Sequence, residues 1–246
     1  MDTKISIITV AYNSEKTIRK TIEAVLGQSY APFEYIIVDG KSKDNTVAVA
    51  QEYVDKFREK GVEYKIISEP DKGIYDAMNK GIKMAQGEII GMINSDDWFE
   101  ERALEVVANT YQKEQFDMMY ANLNLVKENG SVIVKKARMR KFITSRDWNH
   151  PTMFVRKAVY SVMQYDNDNL YADFDMMMAI RKKGYKVVIV DEVLANFATG
   201  GVSNQKTIKG LIGRIKDRYA AYRKNGYSRF YMFECLFIEV AKFIVA

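Results

Sequence analysis

Cysteine, histidine and proline are all scarce in this chain of 246 residues, which has one Cys, one His and three Pro. A lone Cys235 excludes an internal disulfide and fits a reducing compartment. A lone His150 excludes any multi-histidine metal centre. Few prolines, together with only 14 glycines, exclude collagen-like or low-complexity character. No stretch of 18 uncharged apolar residues occurs. The best candidate, 230–246, is interrupted by Glu234, Glu239 and Lys242, so no membrane span is expected. The N-terminus lacks the basic-then-apolar pattern of a secretion signal, and a cytoplasmic location is the expectation. Hydrophobic residues at 48% and charged residues at 28% describe an ordinary folded chain.

Positive charge is unevenly placed. Between Lys206 and Arg229 there are eight basic residues against the single acid Asp217, a net of +7 where the whole chain carries +5. Within this stretch Ile208, Leu211, Ile212, Ile215, Tyr219 and Tyr222 recur at three- and four-residue spacing. The pattern predicts a helix with one apolar and one basic face, followed by a more apolar segment at 230–246. Such a pair could lie on an anionic membrane surface, and packing on the rest of the chain or on a second copy of it is the competing expectation.

The first half alternates strand and helix signals. Strands are expected at Ile5–Val10, Tyr35–Val38, Glu63–Ser68 and Glu88–Ile93. Helices are expected from Ser14, as N-cap, to Leu26, over 45–60, over 74–86 and over 100–113. Apolar strands alternating with such helices imply a mostly parallel sheet flanked by helices. Asn129-Gly130 between Met118–Val126 and Val132–Lys136 marks a hairpin. A helix over 172–183, whose Met176-Met177-Met178 reads as core filler, precedes a strand over 186–190.

Ligands of open α/β sheets sit beyond the carboxyl ends of the strands. At those ends stand Tyr12-Asn13, Asp39-Gly40, Asp71-Lys72-Gly73 and Asn94-Ser95-Asp96-Asp97. Adjacent carboxylates are costly unless a cation compensates them, and Mg²⁺ or Mn²⁺ with substrate phosphates would do so. Neither G-x-G-x-x-G after the first strand nor a P-loop is present, so a nucleotide held through a metal is the better reading.

Five segments in order carry a resemblance. They are Ser6–Asn13, Val38–Thr46, Ser68–Gly81, Asn94–Trp98 and Tyr171–Asp175. Over residues 5–203 the chain resembles the family 2 glycosyltransferases of GT-A fold, particularly bacterial enzymes that build surface polysaccharides. The resemblance implies an α/β, Rossmann-like GT-A domain over 1–205 with a helical extension over 206–246. It implies inverting transfer of a hexosyl or N-acetylhexosaminyl group from a nucleotide-diphosphate sugar, UDP-linked by preference, to a saccharide hydroxyl. The acceptor would be polyprenyl-diphosphate-linked, at the inner face of the cell membrane. Thr9, Ala11 and Tyr12 would border the base and Asp39 would accept from it. Asp71, Lys72 and Ser95 would complete the donor site. Asp96 and Asp97 would hold Mn²⁺ or Mg²⁺, and Asp173 would be the catalytic base. The family's Glu-Asp at the base is Ala172-Asp173 here. His150, Asp175 and Arg181 are further candidates for acceptor or diphosphate contact, and Gly200–Ser203 for a segment closing on the donor. Competing readings are a non-catalytic nucleotide-sugar-binding or scaffold subunit of a polysaccharide synthase, and a sugar nucleotidyltransferase. Nucleic acid is not an expected partner, and self-association is left open.

Overall fold

The computed structural model describes residues 2–199 and 207–245. The segment Gly200–Ser203 therefore lies outside the described residues, as does the 205/206 boundary. Strands β1 (Ile5–Ala11), β2 (Glu34–Asp39), β3 (Glu63–Ser68) and β4 (Ile89–Asn94) form a parallel sheet in the order β3-β2-β1-β4. All residues of β1 and β2 are buried, which is why their sequences are apolar rather than alternating. Burial of each large aliphatic or aromatic side chain in these strands is worth roughly 1.5–3 kcal/mol, so the two strands anchor the sheet.

Helices α1 (Ile18–Leu26), α2 (Thr46–Gln51), α3 (Val54–Glu59), α4 (Ile74–Met84) and α5 (Ala103–Glu114) cover the sheet. Two boundaries differ from expectation. Ser14 does not cap α1 with its side chain: its carbonyl accepts from Thr17 and Ile18, while its hydroxyl pairs with Ser95 at 2.7 Å. The helix expected over 45–60 is two helices, broken at Glu52-Tyr53, where fully buried Tyr53 donates to Glu23 at 2.6 Å.

Past β4 the sheet continues with strands of both directions. These are β5 (Trp98–Phe99), β6 (Met118–Val126), β7 (Val132–Lys135), β8 (Phe154–Arg156) and β9 (Val187–Ala198). Three-residue β8 runs antiparallel to β4 and β6, and β6 runs parallel to β9. The β6–β7 hairpin turns at Gly130, whose φ of +80° suits glycine. Strand β9 is 12 residues long, well beyond the segment expected at 186–190, because a register shift near Asn122 lets it pass exposed Asp191-Glu192 and resume pairing.

After the four-residue α6 (Lys157–Tyr160), helix α7 (Ala172–Lys182) buries Met176, Met177 and Met178 as core, as the sequence suggested. Helix α8 (Ile208–Lys224) packs onto α7, and α9 (Tyr231–Val245) packs onto α8. Their Ala221, Tyr222 and Cys235 belong to the same apolar cluster as the methionines. The expected two-faced α8 is corrected in detail. Arg218 is fully buried beside Ala221 and Tyr222, whereas Ile208 and Ile212 are exposed.

Candidate active site

The chain leaves β1 for β2 on one side and returns to β4 on the other, so β1 and β4 flank a topological switch point. The crevice beyond their carboxyl ends is where such sheets bind ligands. Loop 12–15 and loop 40–46 are laced together there. Asn13 N donates to Ser42 Oγ at 2.8 Å, Lys43 N to Asn13 Oδ1 at 2.9 Å, and Ser14 N to Thr46 Oγ1 at 2.7 Å. Gly40 lets three groups meet: a Cβ at that position would collide with Asp71 Oδ2 and lie 3.3 Å from the ring of Tyr12. Exposed Tyr12 and the carboxylate of Asp71 thus frame one subsite, with Ala11 beside Asp39 in register on the strands beneath. Lys72 is exposed at the tip of the same loop. Its N–H is held by Asp76 at 3.0 Å, and Gly73, at a φ of +118°, starts α4.

Two expected donor contacts are corrected. Thr9 is fully buried and its hydroxyl accepts from Tyr35 at 2.9 Å, so only backbone of β1 can border a base there. Asp39 is fully buried as well. Its carboxylate accepts from Ser42 N at 2.9 Å, from the Ser68 hydroxyl at 2.6 Å and from the Ser42 hydroxyl, so it shapes the loop from within. Ser95, paired with Ser14, likewise ties β4 to the first loop.

Asp96 and Asp97 follow β4. Asp97 is fully buried; its Oδ1 accepts from Ala198 N at 3.0 Å and its Oδ2 faces Asn94 Nδ2 at 3.5 Å. Burial and the neighbouring charge of Asp96 push its carboxyl up to about 8, and burial also raises Asp96. Among the described residues neither forms an ion pair, and no third Asp, Glu, His or Cys joins them. Two adjacent carboxylates without an ion-pair partner among the described residues, and with no complete protein cage, suit a hard divalent cation that draws its remaining ligands from phosphates and water. Mn²⁺ or Mg²⁺ therefore fits here.

Strand β9 links this pair to a second region. Ala198 holds Asp97, while the preceding Phe197 lines a cleft of about 270 Å³ that also contains Asp173. Asp173 sits in the first turn of α7, where the helix N-terminus favours a carboxylate. Its Oδ1 accepts from Tyr75 Oη at 3.0 Å and from Phe174 N at 2.7 Å, and Oδ2 has no protein partner among the described residues. Burial and the Asp173 charge hold Tyr75 far above the ordinary phenol range, so it stays a donor. Tyr75 was visible only as a member of a motif; its role appears once α4 and α7 are side by side.

His150 lies in a single 3-10 turn and lines the same cleft. Burial lowers its pKa, partly offset by Asp173, and its Nε2 is buried without a partner. Asp175 and Arg181 are not brought to this cleft. Asp175 binds Lys224 at 2.7 Å and Asn225, which fastens α7 to α8. Arg181 is two turns along α7 and donates to the Arg140 carbonyl at 2.9 Å. The cleft instead gains Lys135, Tyr171, Arg218 and Lys242, none of which the sequence singled out as a site residue, although Tyr171 opens the fifth of the sequence segments. Arg218 is fully buried. It bridges to equally buried Glu239 at 2.5 Å, donates to Ser145 at 2.7 Å and stacks over Tyr171 at 4.8 Å. Burial opposes ionisation of Glu239, but Lys242, Arg218 and Arg214 outweigh it and hold its carboxyl below the usual range.

A family model, "Glycosyl transferase family 2", matches residues 6–190. The Escherichia coli UDP-Glc:alpha-D-GlcNAc-diphosphoundecaprenol beta-1,3-glucosyltransferase WfgD is 33% identical over 132 residues, 53% of this chain and 50% of that protein. The chain thus spans half the length of that relative. S. aureus TarS in complex with UDP-GlcNAc superposes with a TM-score of 0.71 at 18% identity, over 99% of this chain and 73% of that one. A mannosyltransferase from Pyrobaculum calidifontis, in complex with GDP-Man and Mn²⁺, does so with a TM-score of 0.69 at 15% identity, over 100% and 71%. These likenesses agree with the GT-A form of the sheet, and with the family model covering most of the chain, this protein belongs to glycosyl transferase family 2.

Proposed function

We propose that the chain is an inverting glycosyltransferase that moves a hexosyl or N-acetylhexosaminyl group from a UDP-sugar to a hydroxyl of a lipid-diphosphate-linked saccharide, in bacterial surface-polysaccharide synthesis. The observation that carries this reading is Asp173, whose Oδ2 has no protein partner among the described residues and which lines a cleft joined to the Asp96-Asp97 pair through Phe197-Ala198. Tyr12 would stack on the base, with Asp71 and Lys72 closing on base and ribose. Asp96 and Asp97 would hold Mn²⁺ or Mg²⁺, which supplies neutralisation of the leaving diphosphate. Asp173 Oδ2 would take the proton of the acceptor hydroxyl as it attacks the anomeric carbon, while Tyr75 and the Phe174 N–H fix the carboxylate through Oδ1. The name of WfgD, with UDP-Glc as donor and a GlcNAc-diphosphoundecaprenol as acceptor, supports the choice of both substrates. Calorimetric titration of UDP, GDP and dTDP, each with and without Mn²⁺, tests the donor. Metal-dependent binding of UDP alone is the expected result, and metal-independent binding or a preference for GDP would overturn it.

Membrane contact belongs to the same reading. No helix among the described residues is long and apolar enough to cross a membrane. Yet Phe233, Leu236, Phe237 and Val240 of α9 are exposed, as is the preceding Phe230. At about 100° per residue these side chains fall within an arc of roughly 120°, opposite Cys235, Ile238 and Glu239, which face the protein. The neighbouring basic stretch complements an anionic bilayer. Co-sedimentation with phosphatidylglycerol-containing vesicles is expected to exceed that with pure phosphatidylcholine and to weaken with salt. It should fall at least about tenfold in a Phe233→Ser/Phe237→Ser variant. Equal recovery of both proteins on anionic vesicles would remove the membrane assignment.

A further inference from the structure

The cleft of Asp173 has a cationic wall that the proposed chemistry does not use. Lys135, at the end of β7, points its ammonium at the Trp148 carbonyl at 2.9 Å, the one partner it has among the described residues. Among the described residues no carboxylate forms an ion pair with it, although the charges of Asp147 and Asp173 reach it and an ammonium carries three donors. Lys242 of α9 lines the cleft with it and shares the already crowded Glu239 at 3.4 Å. Burial and the charge of Lys242 lower the Lys135 ammonium to about 8, the mirror image of the carboxylate pair at Asp97. Beside these cations stand two buried polar atoms without partners among the described residues, His150 Nε2 and Asn149 Oδ1; the Asn149 side chain is almost fully enclosed. Sugar hydroxyls can donate to Asn149 Oδ1, but a neutral sugar would leave the Lys135 ammonium without a counter-charge and Lys242 with only a share of Glu239. An anion beside the two ammonium groups supplies that charge.

Resting on the proposed donor and acceptor classes, we propose that Lys135 and Lys242 form an acceptor-side phosphate subsite. It would bind the diphosphate to which the acceptor sugar is directly joined, with His150 Nε2 and Asn149 Oδ1 engaging that sugar. The donor diphosphate belongs with Asp96-Asp97, whereas both lysines share the cleft of the catalytic base. Lys242 also lies on α9, whose opposite face carries the exposed phenylalanines, so a lipid tail leaving the phosphate would run toward that apolar face. Of this wall, Lys135 lies on β7 within the residues that the family model matches, whereas Arg218 and Lys242 lie on the C-terminal helices beyond them.

The probe is hexyl diphosphate, which carries the anion and a short tail but no sugar. Calorimetry should show it binding the protein already saturated with UDP and Mn²⁺. Affinity should fall at least about tenfold, about 1.4 kcal/mol, in Lys135→Met and in Lys242→Met. Lys242→Arg, which keeps the charge on α9, should stay within about threefold of wild type. Affinity of UDP with Mn²⁺ should be unchanged in all three variants, which reports an intact fold and donor site. Competition between hexyl diphosphate and UDP, or indifference to both lysine substitutions, would overturn the proposal. So would tighter binding of hexyl glucuronide than of hexyl diphosphate, because the subsite would then read a carboxylate. Failure of UDP to bind while hexyl diphosphate binds in a lysine-dependent way would instead refute the donor reading and leave the phosphate subsite standing.

Discussion

Asp173→Asn is expected to lower the turnover of sugar transfer by 10²- to 10⁴-fold while leaving the affinity for UDP and metal unchanged. The range is that of a positioned general base. The amide is a close test because its oxygen can keep both contacts now made by Oδ1, to Tyr75 at 3.0 Å and to Phe174 N at 2.7 Å. Only the atom facing the cleft changes, from a proton acceptor to an NH₂ donor. Local structure should therefore survive, and Tm should move by no more than a degree or two. Tyr75→Phe separates positioning from chemistry. It removes one contact to Oδ1 and keeps the base, so it should cost roughly tenfold in turnover. Full turnover of the Asn variant would transfer the base role elsewhere.

Asp97→Asn should lower donor affinity in Mn²⁺ at least about 100-fold, since a ligand to the cation is lost from a buried position. The same substitution should stabilise the metal-free protein. A carboxyl raised to about 8 keeps its proton in the folded state while the unfolded chain releases it near 4. Its stabilising contribution is thus complete below the unfolded value and is lost as pH rises toward 8. Asparagine stays neutral throughout, so the metal-free variant should melt above metal-free wild type at pH 8, with the gap closing toward pH 5. Its carbonyl can keep the Ala198 N–H. Its NH₂ can meet the Asn94 Oδ1, which is buried without a partner, once that amide turns over. Adding Mn²⁺ and UDP should raise the Tm of wild type and not of the variant. Thermal melts at pH 5, 6.5 and 8, with and without metal, read both signs. A metal-free variant less stable than wild type at pH 8 would refute the electrostatic account of this pair.

Much of the β1–β4 half of the fold could be read directly from residue order, because each β–α unit is a local pattern. An apolar strand, a polar turn and the helical stretch that follows fall together within 26 consecutive residues or fewer, as from Ile5 to Leu26 or from Glu34 to Glu59. The hairpin at Asn129-Gly130 was readable for the same reason. Orientation on the strand was not. Thr9 and Asp39 stand in the right motifs, yet strand alternation and loop hydrogen bonds turn both side chains inward. The acceptor half was the least legible part. Arg218 reaches Ser145 across 73 residues and Tyr171 meets Glu239 across 68, and no local periodicity announces such pairs. A basic run in sequence suggested a solvated or lipid-facing charge. One of its members instead became a buried guanidinium, held because Glu239 and Tyr171 arrive from other elements to compensate it.

Helix α9 is both the wall of the reaction cleft and the bearer of exposed phenylalanines, and it is one helix thick. With side chains, that is about 10–12 Å. On the proposed orientation this thickness acts as a ruler: the base can stand only about that far above the lipid surface. A sugar joined straight to the bilayer would come within range, while the outer end of a longer glycan would be carried past the cleft. Each lipid would then receive one residue and leave, so chain length is counted by geometry rather than by a separate stop signal.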